Sequence, residues 1–133
     1  FGWYDGGADF RWRANASVLW EYNDFTTSLN FRFLDDNKDD CWLSTYYGLN
    51  DECSNPNDAN NFGDYGYNQM EVEYYTDLQV DYQYSDSINV FIGARNLFGE
   101  EPPVAYDGFA QNFDFAWDLP GGAFVYGGFK ISL

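Results

Sequence analysis

The chain of 133 residues contains no histidine. Histidine-based catalytic triads and the commonest zinc ligand are therefore absent from its chemistry. Cations are scarce: six Lys plus Arg stand against 22 Asp plus Glu, a net charge of -16. Neutralising phosphates needs basic residues, so this balance argues against nucleic acid as a partner. No apolar run reaches the ~18 residues that mark a transmembrane helix. No basic stretch followed by an apolar one opens the chain. FGWYDGGAD reads as a loop tail, and the chain is expected to begin in the interior of a larger protein. Cysteine occurs only as Cys41 and Cys53. They sit in a polar segment rich in Asp, Asn and Gly, where free thiols would be exposed and reactive. The expectation is a disulfide, worth roughly 3 kcal/mol through the loop it closes and implying an oxidising compartment. Two free thiols in a cytosolic protein are the alternative.

Aromatic residues are abundant, at 23% of the chain, while most helix formers are rare. Five segments alternate apolar and polar residues with the period of a strand. The longest, MEVEYYTDLQVDYQY over 70–84, exceeds the usual ~5–6 residues of a strand in a soluble protein. The others lie at about 9–22, 25–35, 88–97 and 123–133. Asn23-Asp24 is short enough for a two-residue turn, and the apolar face switches there from even to odd positions, as that turn requires. A three-residue turn at 85–87 keeps the apolar face even and sets Tyr84 opposite Ile88 and Asp77 opposite Arg95. Two connections, at about 36–68 and 98–122, are long and polar. They leave the strands at the end opposite the tight turns. Trp20, Tyr22, Phe25, Tyr82 and Tyr84 gather at the tight-turn end, and Phe10, Trp12 and Phe33 at the other. Long two-faced strands, short turns at one end, long loops at the other and two aromatic bands are features of an outer-membrane β-barrel. A soluble antiparallel sandwich also alternates, with one face in a core.

Residues 88–133 resemble the last hairpin of TonB-dependent outer-membrane receptors. The resemblance rests on Asn96-Leu97-Phe98 at the end of a strand, then Pro102-Pro103, then a Gly127-Gly128 strand running to the terminus. FAWDLPGG stands where many members carry Tyr-Asp-x-x-Gly-Arg, without the Arg, and Leu133 replaces the usual terminal aromatic. The resemblance implies an all-β, antiparallel up-and-down transmembrane barrel of about 22 strands with an N-terminal plug. This chain would supply about five C-terminal strands and two extracellular loops, the plug lying elsewhere. It implies the outer membrane of a Gram-negative bacterium and TonB-driven uptake of a scarce solute: a siderophore, haem, cobalamin or an oligosaccharide. Partners would be lipid, the rest of the barrel and plug, TonB through the missing N-terminal part, and the small-molecule ligand. A passive porin or surface adhesin is one alternative; a secreted carbohydrate-binding sandwich is another.

No carboxylate pair is singled out by spacing, so no enzyme activity and no cofactor are expected. Asp35, Asn37 and Asp39 open like a calcium loop, but Asp40 and Tyr46 stand where such a loop needs Gly and Glu. A solvated acidic loop is the preferred reading, with a loosely held Ca²⁺ as the alternative. The 36–68 connection carries Trp42, Tyr46, Tyr47, Tyr65 and Tyr67 beside carboxylates and amides. These rings could stack on a ligand, or pack as the loop's own small core around the disulfide. For Asn96, Leu97, Phe98, Pro102 and Pro103 a structural strand exit is the preferred reading, since Pro cannot continue a ladder.

Overall fold

The computed structural model describes residues 2–4, 8–48, 53–58, 65–105, 117 and 122–132. Its strands are β1 (Trp3–Tyr4), β2 (Ala8–Asp9), β3 (Arg13–Tyr22), β4 (Phe25–Leu34), β5 (Asn37–Asp40), β6 (Tyr67–Met70), β7 (Glu73–Ser85), β8 (Ile88–Arg95) and β9 (Phe124–Ile131), with one short helix, α1 (Trp42–Tyr46). Among the described residues the fold is all-β apart from that helix, and its pairings are mostly antiparallel. It divides into two compact units. One comprises Phe1–Arg13, Leu34–Glu73 and Pro102–Leu119; the other comprises Ala14–Phe33, Tyr74–Glu101 and Pro120–Leu133.

The second unit holds a five-stranded sheet in the order β3-β4-β7-β8-β9, a meander with β3 and β9 as its outer strands. Asn23 turns the first hairpin with φ at 51°, in the left-handed region that Asn tolerates. Ser17 Oγ donates to Asn30 Oδ1 at 2.8 Å, which sets these positions opposite one another as a two-residue turn demands. The antiparallel run of β4 along β7 is marked by Phe25 on Tyr82, with ring centroids 4.7 Å apart, and by Phe33 on Tyr74 at 5.5 Å. Between β7 and β8 the ladder pairs Leu78 with Ala94, Val80 with Ile92 and Tyr82 with Val90. This is the register read from parity, but it shifts at the turn: Ser85, not Tyr84, pairs with Ile88, across an irregularity between Gln83 and Ser85. A two-residue turn is thereby reached, and Tyr84 is the extra residue of a bulge. The Asp77 carboxylate accepts the backbone N–H of Asn96 at 2.9 Å.

Two glycines explain the aromatics on the otherwise polar face. Gly93 pairs with Tyr126, and Phe91 with Gly128, across β8 and β9. A Cβ on Gly93 would lie 2.5 Å from Tyr126 Cζ, and one on Gly128 would lie 2.8 Å from Phe91 Cζ. Each ring therefore occupies the space over a glycine, covering backbone that no side chain of its own protects. Tyr126 Oη then reaches across to donate to Gln79 Oε1 at 2.9 Å.

The first unit contains a four-stranded sheet, β2-β1-β5-β6, in which β1 runs parallel to β5 and β5 antiparallel to β6. Its buried residues include Phe10, Leu34, Met70, Ala105 and Trp117, with Asn37, Asp39 and Ser44 among the polar ones. Phe10 meets Trp117 edge-on at 5.1 Å, so it belongs to this core and not to an aromatic band at a strand end. The expected strand over 70–84 is broken after Met70: residues 67–70 take β5 as partner, and β7 begins at Glu73. The alternation runs through the break unaltered, because what changes there is the partner and not the pattern.

Candidate functional site

The disulfide organises a site in the first unit. Cys41 and Cys53 are bonded and both buried. Asn55 and Tyr67 exchange backbone hydrogen bonds, Asn55 N–H to Tyr67 O at 3.0 Å and Tyr67 N–H to Asn55 O at 3.1 Å, which tie the Cys53 segment to β6. Only glycine fits at position 66: its φ is 76°, and a Cβ there would overlap Asn55 O and the Pro56 backbone. Cys41 N–H in turn donates to Gly66 O at 3.3 Å.

Helix α1 starts from this anchor. Asp40 Oδ1 accepts the Trp42 N–H at 2.8 Å, satisfying one of the unpaired donors at a helix start. Gly48, with φ at 72°, closes the other end. Trp42 and Tyr46 are four residues apart, so they share one helical face. Their rings stack with centroids 5.7 Å apart and 25° between planes. Tyr47 meets Tyr46 edge-on at 5.2 Å. Ser44, on the opposite side of the helix, is buried.

Exposure decides what these rings are. Trp42 is 44% exposed, Tyr46 71% and Tyr47 67%. They do not pack as the core of the connection; they stand on its surface as a stacked platform. Tyr65 is 40% exposed and lies outside this stack. Tyr67 is half-buried on β6, with the Lys38 ammonium 4.2 Å above its ring. The five aromatics singled out from sequence thus separate into a platform of three and two that sit elsewhere. The signal that could have separated them is the four-residue spacing of Trp42 and Tyr46.

The remaining candidates are placed as follows. Asn96 is buried, with φ at 48°, and its side chain bridges the chain ahead: Nδ2 donates to Glu100 O at 2.7 Å, and Oδ1 accepts from Glu100 N–H at 3.0 Å. Leu97 N–H donates to Thr76 O at 2.7 Å, while the Leu97 and Phe98 side chains are exposed. Pro102 and Pro103 follow in irregular chain. Asn37 and Asp39 are fully buried on β5, and Asn37 Oδ1 accepts the Lys38 N–H at 2.9 Å. Asp35, just before β5, is half-buried. Among the described residues no group of three or more acidic, thiol or imidazole side chains is gathered to hold a metal ion. The FAWDLPGG segment, apart from Trp117 and Gly122, lies outside the described residues, as does Leu133.

No protein-family model, curated protein or solved structure matches this chain.

Proposed function

We propose that this chain is part of an outer-membrane β-barrel receptor of the TonB-dependent kind, taking up a scarce solute, and that its five-stranded sheet is barrel wall. The observation that carries the reading is an inversion of the usual exposure of a sheet. On β8 and β9 the apolar residues Ile92, Val125, Phe129 and Ile131 are 61%, 65%, 70% and 58% exposed. On β8 the opposite face is the more covered one: Asn89 and Phe91 are half-buried and Gly93 is buried, while Val90 and Ile92 are exposed. An exposed apolar face this extensive calls for a cover, and hydrocarbon supplies one along the full length of strands of 8–13 residues. Trp20 stacked beside Tyr22, and Phe25 against Tyr82, cluster near the tight turns, where an aromatic girdle would meet the membrane interface. Because lipid cannot satisfy backbone N–H and C=O groups, β3 and β9 would each take a further strand as neighbour, supplied by the rest of the barrel and closing it around its plug. The Trp42–Tyr46–Tyr47 platform, carried by the long connection between β4 and β7, is the solute-contacting element of an outer loop. TonB acts through a part of the protein outside this chain.

The test is quenching of Trp20 fluorescence. The protein is refolded into vesicles whose acyl chains carry bromine, which quenches only indoles in contact with the chains. Strong quenching, reduced when Trp20 is replaced by Phe, is expected. Equal quenching in the two proteins would remove hydrocarbon from the apolar face. A second reading, a secreted carbohydrate-binding sheet protein, is favoured by one observation: the stacked platform needs no membrane to work. A monodisperse, folded chain in plain buffer would select it.

A further inference from the structure

We propose that the polar face of the five-stranded sheet carries, at its tight-turn end, a binding pocket for an uncharged polyhydroxylated ring solute, a sugar or short oligosaccharide. The pocket is a property of the sheet. It goes beyond the assignment of that sheet to a barrel wall and stands whichever medium covers the opposite face.

The pocket has a volume of about 450 Å³ and is lined by Thr26, Asp81, Gln83, Asn89, Lys130 and Ser132, among others. That volume is typical of small-molecule sites, about 300–1,000 Å³. The lining comes from β4, β7, β8 and the β9 end, so four neighbouring strands build it on one face. Several of its groups are held in place. Gln83 Nε2 donates to Ser85 O at 2.6 Å and to Ile88 O at 3.3 Å, while Gln83 Oε1 accepts from Asn89 Nδ2 at 3.2 Å. Gln79 Nε2 donates to Asp81 Oδ2 at 2.7 Å.

Asn89 lines the pocket with its amide nitrogen engaged by Gln83, while its Oδ1 is buried out of reach of solvent and has no hydrogen-bond partner among the described residues. Lys130 Nζ stands 5.9 Å from the Phe91 ring centroid and has no ion pair among the described residues, which leaves a donor on the far side. Thr26 and Ser132 add hydroxyls that both donate and accept.

Charge selects among ligands. One ammonium and one carboxylate line the pocket, so its own charge cancels. The net charge of -16 repels anions from the surface as a whole. What remains is a neutral molecule dense in donors and acceptors, and that describes a sugar better than a carboxylate or a phosphate.

The test is a titration of the full chain, ¹⁵N-labelled and refolded in phosphocholine-headgroup micelles so that no detergent sugar competes. The probes are maltotriose, xylotriose and chitotriose, with inorganic phosphate as an anionic arm. Saturable shifts of the Asn89 and Gln83 side-chain amide signals are expected with at least one sugar. Thr26→Ala and Ser132→Ala should each weaken that binding about three- to tenfold, the worth of one neutral hydrogen bond. Shifts with phosphate alone would overturn the proposal in favour of an anion held by Lys130, and no shift with any sugar would overturn it outright. Trp20 quenching reports the wall assignment separately, so either can fail alone.

Discussion

Replacing Ile92 by Arg is the sharpest perturbation of the wall assignment. Ile92 pairs with Val80 on one side and Gly127 on the other, and its side chain is 61% exposed. It lies four residues from Ile88 and three from Arg95, the ends of β8. At ~3.3 Å per residue and a tilt of roughly 40°, it sits about 8–10 Å in depth from either strand end, close to the middle of an apolar band some 25 Å tall. An arginine there would cost about 2–4 kcal/mol if hydrocarbon covers the face. That is about a 30- to 900-fold loss in the folding equilibrium. On a sheet face bathed in water, the same exposed substitution would cost within about 0.5 kcal/mol. The two environments therefore differ by about 1.5 kcal/mol at the least. Urea unfolding of the vesicle-refolded protein, followed by tryptophan emission, resolves that difference. Ser28→Arg on the polar face of β4 is the control and should cost little. An Ile92→Arg protein that unfolds at the same urea concentration as the parent would refute the reasoning.

Three further outcomes are expected. Asn96→Ala loses two side-chain hydrogen bonds to Glu100 and puts a less tolerant residue at positive φ, so thermal or urea unfolding should register about 2–3 kcal/mol of lost stability. Reduction of Cys41–Cys53, or its replacement by two serines, should cost about 2–4 kcal/mol locally; hydrogen exchange at Tyr67 and Asn55 should rise sharply. Trp42→Ala and Tyr46→Ala should each weaken solute binding by about 1 kcal/mol, while unfolding stays within about 0.5 kcal/mol of the parent because both rings are exposed. Unchanged affinity would make the platform a surface feature only.

Parity made much of the large sheet legible. The switch of the apolar face across Asn23-Asp24 sets position 17 opposite 30, where Ser17 and Asn30 are bonded. The body of the β7–β8 register was legible in the same way, because one wrong step would invert every side chain. The Tyr84 bulge was not, since an extra residue beside a turn leaves the pattern upstream untouched. The small sheet was illegible for another reason. Asn37-Lys38-Asp39-Asp40 has neither alternation nor strand propensity, and forms β5 because β1 and β6 pair with it. The pocket residues Asp81, Asn89 and Lys130 were not singled out as a site. The 85–87 register already placed Asp81 and Asn89 on one face near the turn; what no pattern announces is that Lys130 joins them across β8 and β9 and that Gln83 holds the Asn89 amide.

The glycine–ring pairs of β8 and β9 have a consequence for assembly. A slide of these strands by two residues keeps every apolar side chain on its own face, so alternation cannot forbid it. Slid one way, Gly93 faces Gly128 and leaves a bare trough. Slid the other way, Phe91 and Tyr126 compete for one space. Only the observed alignment seats each ring on a glycine. Two residues without side chains thus act as a key for the last hairpin, rejecting the near-miss that its hydrophobicity would accept.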